Sequence, residues 1–282
     1  MEVSSPLTGR RGVSLPFTDF CLPVNGKTNQ RQLYEAALDC GRRRRWRYLE
    51  CRSNDREWPG SIPSLAFYGH VLDLAQPTDL LFKAFDDSVR RAVRKAESAK
   101  VKVEFSGTLE SIRTFYSLHC LTRQRHGLPP QPFRFFKNIA QHILQTGKGF
   151  VATSYSDSIP VASSIFFHER RQAIFKFGAS DFASQHLRPN HLLMWESIKK
   201  CAALGFHQLH FGRTSLANDG LRRFKKSFGA REERIESFKY DFSKSAFVAD
   251  VDRTETWMNG IFSRLPLPLL RLSGQILYPH LS

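Results

Sequence analysis

The chain is predicted to adopt a mixed α/β fold, and two observations predict it. From Val101 onward the candidate elements run strand, two helices, a three-stranded meander, helix, strand, strand, an alternation that builds a mixed sheet covered by helices. The 282 residues are 41% hydrophobic and 24% charged, so the chain can bury a sizeable core in one large domain or two small ones. Low complexity is confined to Arg42-Arg43-Arg44-Arg45, and no internal repeat stands out.

The elements follow in order. Val13-Ser14-Leu15-Pro16-Phe17 is short and apolar, and Pro16 restricts it to an edge strand or a loop. Residues 29–40 suit a helix, with Leu33, Ala36 and Ala37 at helical spacing. Residues 46–51 and 66–74 alternate as strands. In the second, Tyr68, His70, Leu72 and Leu74 form the more apolar face, and Gly69 marks a candidate bulge. A helical region begins at Asp79. Val89, Ala92, Val93 and Ala96 share one face of it, while Arg90 with Arg94 and Arg91 with Lys95 stack at i, i+4 on the other side.

Residues 101–105 alternate as a strand. Thr108 caps a helix over 111–126 that carries Ile112, Phe115, Tyr116, Leu118 and Leu121 inward. The Gly127-Leu128-Pro129-Pro130 break ends it, and a further helix over 133–146 closes at Gly147. Strands 149–155 and 160–167 form a hairpin about Ser156-Asp157-Ser158, and a strand over 172–178 follows. The clearest helix is 190–204, closed by Gly205; strands over 207–212 and 238–242 come after it. The tail, 256–282, is dense in Leu and Ile with Arg264 and Arg271 interspersed, and Pro266 and Pro268 disfavour one long helix. It suits either a membrane interface or packing back on the domain.

One stretch carries chemistry. It contains Arg188-Pro189-Asn190-His191-Leu192-Leu193-Met194-Trp195-Glu196, then Phe211-Gly212-Arg213-Thr214, then Gly220-Leu221-Arg222-Arg223-Phe224-Lys225-Lys226-Ser227-Phe228-Gly229. This segment resembles the acyltransfer half of the GNAT superfamily. It is most similar to the Fem-type aminoacyltransferases and the related BioF-like acetyltransferase domains. The resemblance spans about residues 10–280 and is strongest over about 88–245. It implies a GNAT-like acyltransferase domain over 81–248, a shortened GNAT-like N-terminal lobe over 1–80, and a basic, apolar tail over 249–282. Leu15-Pro16-Phe17-Thr18-Asp19 also resembles family members. The expected activity is transfer of an acyl or aminoacyl group, by direct attack, onto an amine of a lipid-linked or nucleotide-linked cell-envelope precursor of peptidoglycan or exopolysaccharide.

Acyl transfer needs an approaching acceptor, a departing proton and stabilised charge on the carbonyl oxygen and leaving group. The resemblance assigns the charge-stabilising role to Lys225; a lysine in a basic surface loop is the competing reading. Arg213, at a strand's C-terminal end, suits a phosphate, a carboxylate or a nearby acid. The junction ending at Asn190 offers helix N-terminal N–H groups to an anion. Asp181 is the candidate proton acceptor, ahead of His191 and Glu196. Arg90, Arg94, Lys95 and Arg223 are candidates for holding phosphates, with a solvated basic face as the alternative. Gln185-His186-Leu187-Arg188-Pro189-Asn190 stands where CoA-dependent GNAT enzymes usually carry a Gly-rich pyrophosphate loop, which favours aminoacyl-tRNA over acyl-CoA as donor. No tightly bound cofactor and no metal is expected, since no Cys/His spacing fits a zinc site.

The net charge of +16 favours polyanionic partners: RNA, nucleotide phosphates or an anionic membrane. The five cysteines are scattered, which fits reduced thiols. No signal segment and no run near the ~20 apolar residues of a membrane span is visible. The expected location is the cytoplasm, with peripheral contact at the inner membrane through the tail. Two other classes fit the same residues: an acyl-CoA-dependent N-acetyltransferase, and a non-catalytic basic adaptor for RNA or membrane.

Overall fold

The computed structural model describes residues 1–21, 30–52, 60–250 and 258–281. The N-terminal part contributes β1 (Glu2–Ser5), β2 (Gly9–Val13), α1 (Gln30–Arg44), β3 (Tyr48–Cys51) and β4 (Leu65–Asp73). Then come α2 (Thr78–Ala84), α3 (Asp87–Ser98), β5 (Lys102–Ser106), α4 (Leu109–Arg125), α5 (Phe133–Ile139), β6 (Gly149–Ser156), β7 (Ile159–Glu169) and β8 (Gln172–Ser180). The remainder is α6 (Pro189–Ala203), β9 (Gln208–His210), β10 (Thr214–Ser215), α7 (Asp219–Lys226), β11 (Arg231–Asp241), β12 (Ala246–Phe247), α8 (Met258–Phe262) and α9 (Leu267–Leu281). The strands form one sheet in the order β1-β2-β3-β11-β4-β9-β8-β7-β6-β5, with β10 on β4 and β12 on β11.

Local chemistry explains the elements that frame the site. Val89, Ala92, Val93 and Ala96 are buried on one face of α3, and Val89, Val93 and Ala96 share a core with Leu192, Leu193, Met194, Trp195 and Ile198 of α6. The Thr108 side chain accepts a hydrogen bond from the Ser111 N–H and so starts α4. Asp157 and Ser158 both adopt positive φ, the backbone that a tight turn between twisted strands requires. The two helical layers cover opposite faces of the sheet. One core joins α3 and α6 to Phe150, Phe166 and Ala173; the other joins α4 and α5 to Val151, Ile165 and Ala179.

Strand β8 holds the feature that positions the site. Its pairing with β7 matches Ile165 to Phe177 and Phe166 to Phe175, which leaves Lys176 as an extra residue. Strict alternation would place Phe175 and Phe177 on one face. The bulge instead sends Phe175 to the α6 core and Phe177 to the α4 core.

Several expectations are corrected. Gly69 is not a bulge: β4 pairs β11 in unbroken register through Glu233 and Gly69. A Cβ at Gly69 would crowd Ile235 and Glu233, so glycine there permits close cross-strand packing. The 13–17 run is not a strand beyond Val13; β2 occupies Gly9–Val13. The helix over 133–146 loosens at Ala140 into a single π turn through Leu144. Leu121 lies on the exposed side of α4. The late strand begins at Arg231 rather than 238.

The tail folds as two helices, as the prolines require, and packs back on the domain. Leu270 is fully buried, and the backbone of Pro130 lies where a Cβ on Gly274 would stand. Gln124 Nε2 donates to the Leu265 carbonyl at 2.7 Å. No described helix is long and apolar enough to cross a membrane.

Candidate active site

Strands β8 and β9 are parallel but pair only over Gln172–Ile174 and Gln208–His210. Beyond that point β8 continues to Ser180, whereas Gly212 turns the other chain away with φ +70°. The two strands therefore part, and a cavity of about 840 Å³ opens between them. Residues 175–180 line one wall and residues 211–213 the other, with Phe224 and Lys225 of α7 and Asn190, Leu193 and Met194 of α6 closing the inner end. The outer end is walled by Phe17, Phe135 and Tyr278, whose rings lie 5.3 to 5.9 Å apart in pairs.

Lys225 reaches the seam from α7, a short helix started by Asn218, whose side chain accepts from the Leu221 N–H. Its side chain is 2% exposed. The ammonium donates to the carbonyls of Gly212 and Arg213, both at 3.1 Å. An ammonium carries three N–H groups, so one remains for a ligand in the cavity. Burial pushes Lys225 down to about 8, against the opposing pull of the Asp19 carboxylate. Burial alone would raise Asp19, but Lys176 and Arg213 outweigh it and hold the carboxyl below its ordinary range.

The predicted residues divide into three groups. Lys225, Arg213 and Asn190 come together around the cavity. The Arg213 guanidinium lies over the Phe67 ring at 4.5 Å, and its Nε stands 4.0 Å from Asp19 Oδ1. Asn190 Nδ2 donates to Gln185 Oε1 at 3.3 Å. A second group borders two shallow grooves outside the seam that share Ser88 and His191. Lys95, Arg91 and Arg188 line one; Arg222, Arg223 and Lys226 line the other. His191 is pushed down to about 4 by burial and by Arg188, so it is neutral at ordinary pH.

The third group is committed elsewhere. Asp181 does not line the cavity: its oxygens accept from the Ala183 N–H at 3.1 Å and the Ser184 hydroxyl at 3.0 Å, which ties the turn after β8. Arg90 donates to the carbonyls of Lys83 and Phe85 and pairs with Asp87, locking the corner between α2 and α3. Glu196 pairs with Lys199. Arg94 is exposed and borders neither the cavity nor the grooves.

Sequence reading missed Asp19, Lys176 and His126, all of which line the cavity. Asp19 was visible only as the end of the Leu15–Asp19 motif. Lys176 carried a readable signal, a lone cation between two phenylalanines in an apolar strand. His126 lies at the end of α4, and burial, Arg125 and Arg123 hold it below its ordinary value.

Residues 83–226 match the family described as "Acetyltransferase (GNAT) domain", just over half of the chain. The chain belongs to the GNAT family. It is therefore a transferase of the acyl class, and the parted parallel strands form the seam of a GNAT-like fold. Among solved structures, this GNAT chain is similar to FemX, with 15% identity, a TM-score of 0.63, and coverage of 83% of this chain and 81% of that one. It is also similar to L-PGS from Bacillus licheniformis, with 11% identity, a TM-score of 0.55, and coverage of 88% and 80%. At these identities the likeness is one of fold. Comparison with curated protein sequences gives no match.

Proposed function

We propose that this GNAT protein moves an acyl or aminoacyl group from an activated ester or thioester onto an amine of an anionic cell-envelope precursor, lipid-linked or nucleotide-linked. The observation that carries the reading is the buried Lys225 ammonium, fixed by two carbonyls at the seam, with one N–H that has no partner among the described residues. In the transfer the acceptor nitrogen bonds to the carbonyl carbon, the carbon–oxygen or carbon–sulfur bond breaks with its electron pair left on the oxygen or sulfur, and the proton shed by the acceptor nitrogen ends on that leaving atom. Lys225 stabilises the negative charge that develops on the carbonyl oxygen or the leaving atom. The cations Arg52, Arg125, Lys176 and Arg213 also line the cavity, against a single carboxylate among the described residues, which supports an acceptor bearing phosphate or carboxylate.

The donor in this reading is aminoacyl-tRNA, whose phosphates would follow the grooves of Arg91, Lys95, Arg188, Arg222, Arg223 and Lys226. The described family favours a second donor, acetyl-CoA. Titration with CoA, acetyl-CoA, charged tRNA and uncharged tRNA at moderate and high salt separates the two. Saturable preference for charged tRNA supports the first reading, and saturable CoA binding the second. Salt-labile binding of every polyanion alike would defeat both donor assignments. With the donor in hand, Lys225→Ala should abolish turnover in a folded protein; full activity in that variant would remove Lys225 from the chemistry.

The tail supports a peripheral contact. Leu269, Leu272 and Ile276 are exposed at helical spacing along the outer side of α9, while Tyr278 of the same helix lines the cavity. A lipid-linked acceptor held against that side would enter beside Tyr278.

A further inference from the structure

We propose that Asp19 is a positioning residue of the active site, carried across the open seam by the N-terminal segment to hold Lys176, Arg213 and Lys225 as one cationic array. The proposal deepens the acyl-transfer reading and rests on it only for the catalytic consequence. Among the described residues that line the cavity, Asp19 is the only carboxylate.

Three elements meet it there. Lys176, the extra residue of the β8 bulge, donates to Asp19 Oδ1 at 2.9 Å, and each side chain of that pair is 12% exposed. The Arg213 side chain approaches the same oxygen, its Nε 4.0 Å away, and Arg213 helps to hold the carboxyl below its ordinary range. The other oxygen faces Gly212, where a Cβ would stand 3.0 Å from it. Lys225 holds the carbonyls of those same two residues, Gly212 and Arg213. Asp19 and Lys225 thus both bear on the segment Gly212–Arg213 between β9 and β10.

The segment is anchored on either flank. Phe17 packs on Phe135 and Tyr278, the Thr18 carbonyl accepts from Arg52 at 3.0 Å, and Phe20 lies over the His210 ring at 5.2 Å. Among the described residues, the charged or titratable groups around this cluster are Lys176 from β8, His210 from β9, Arg213 after it, Lys225 and Lys226 from α7, His70 from β4, and Glu232 and Glu233 from β11. A buried ion pair is held only while both partners remain. Without Asp19, three cations would share the seam with no carboxylate of the cavity wall between them, and Lys225 would surrender its proton more readily.

The test is a pH titration of Lys225 followed by NMR in protein labelled with 13C at lysine Cε, its resonance assigned by its loss in Lys225→Arg. Asp19→Asn should lower the Lys225 midpoint by on the order of one pH unit, and Asp19→Glu should restore it. Lys176→Met should move the midpoint the other way, since Asp19 would then act on Lys225 uncountered. That variant keeps the proposal testable where Asp19→Asn does not fold. An unmoved Lys225 midpoint in folded Asp19→Asn or folded Lys176→Met would overturn it. Transfer activity, measured separately, distinguishes the two levels. A shifted lysine with an unshifted alkaline limb of activity would uphold the array and defeat the catalytic role of Lys225.

Discussion

Lys225 concentrates the energetics of the site in one side chain. Its folded value near 8 lies below the ordinary 10.5, so between those values the folded protein binds fewer protons than the unfolded chain. Stability must therefore rise as pH climbs from about 8 toward 10.5, and the cost of burying the cation is fully present at neutral pH, on the order of 3 kcal/mol. Lys225→Met lacks this dependence. The stability advantage of Lys225→Met over the wild type, read from urea midpoints, should be largest at pH 7 and shrink by pH 10. A constant difference across that range would show that the lysine is not buried as a cation.

Gly212 is the other residue whose identity the geometry dictates. At φ +70° a side chain is strained, and a Cβ would stand 3.0 Å from Asp19 Oδ2 and 3.1 Å from the Phe175 carbonyl. Gly212→Val should lose about 1–3 kcal/mol or more and displace Asp19 from Lys176. Unchanged melting and unchanged kinetics would show that this turn does not border the site.

At the scale of elements, the bulge in β8 and the packing of α9 make separate predictions. Deleting Lys176 removes the extra residue yet leaves Phe175 and Phe177 on the faces they already occupy, because a regular strand alternates. The deletion should therefore fold cooperatively while losing transfer. Deleting Ile174 instead would turn Ala173 to the wrong side of the sheet and should unfold the protein. Circular dichroism melts compare the two. On α9, Gly274→Val drives a side chain into the Pro130 backbone and should release the helix, read as early proteolysis within 258–281 around a resistant remainder.

These elements also show what a sequence reveals. The apolar face of α3, the Thr108 cap and the turn at Asp157-Ser158 were legible because each depends on neighbours within a few residues. The start of β11 was not. Arg231, Glu232, Glu233 and Arg234 lack the apolar alternation of a strand, yet they pair with β4, more than 150 residues earlier, and Arg222 donates twice to Glu232 at 2.7 Å. Lys225 and Arg213 were legible through a motif. Asp181 was placed by proximity to the strand end, but a carboxylate two residues before a free N–H folds back on it instead. Asp19 was illegible for the opposite reason: its partner Lys176 is 157 residues away.

For the whole molecule, a charge of +16 beside the exposed Leu269, Leu272 and Ile276 predicts binding to an anionic lipid surface. Sedimentation with vesicles containing anionic lipid should retain the protein at low salt and release it at high salt. Leu272→Glu with Ile276→Glu should weaken retention without altering the melt, since both side chains point outward. Equal retention by neutral vesicles would remove the electrostatic part, and equal retention of the double variant would remove α9.

The aromatic wall of the cavity has a consequence for how the protein comes into being. Phe17 and Tyr278 meet across it, and nearby Ser5 Oγ lies 2.7 Å from His280 Nδ1, a contact spanning 275 residues. The wall therefore forms only when segments from the two ends of the described chain come together, and such contacts of long sequence separation are slow to close.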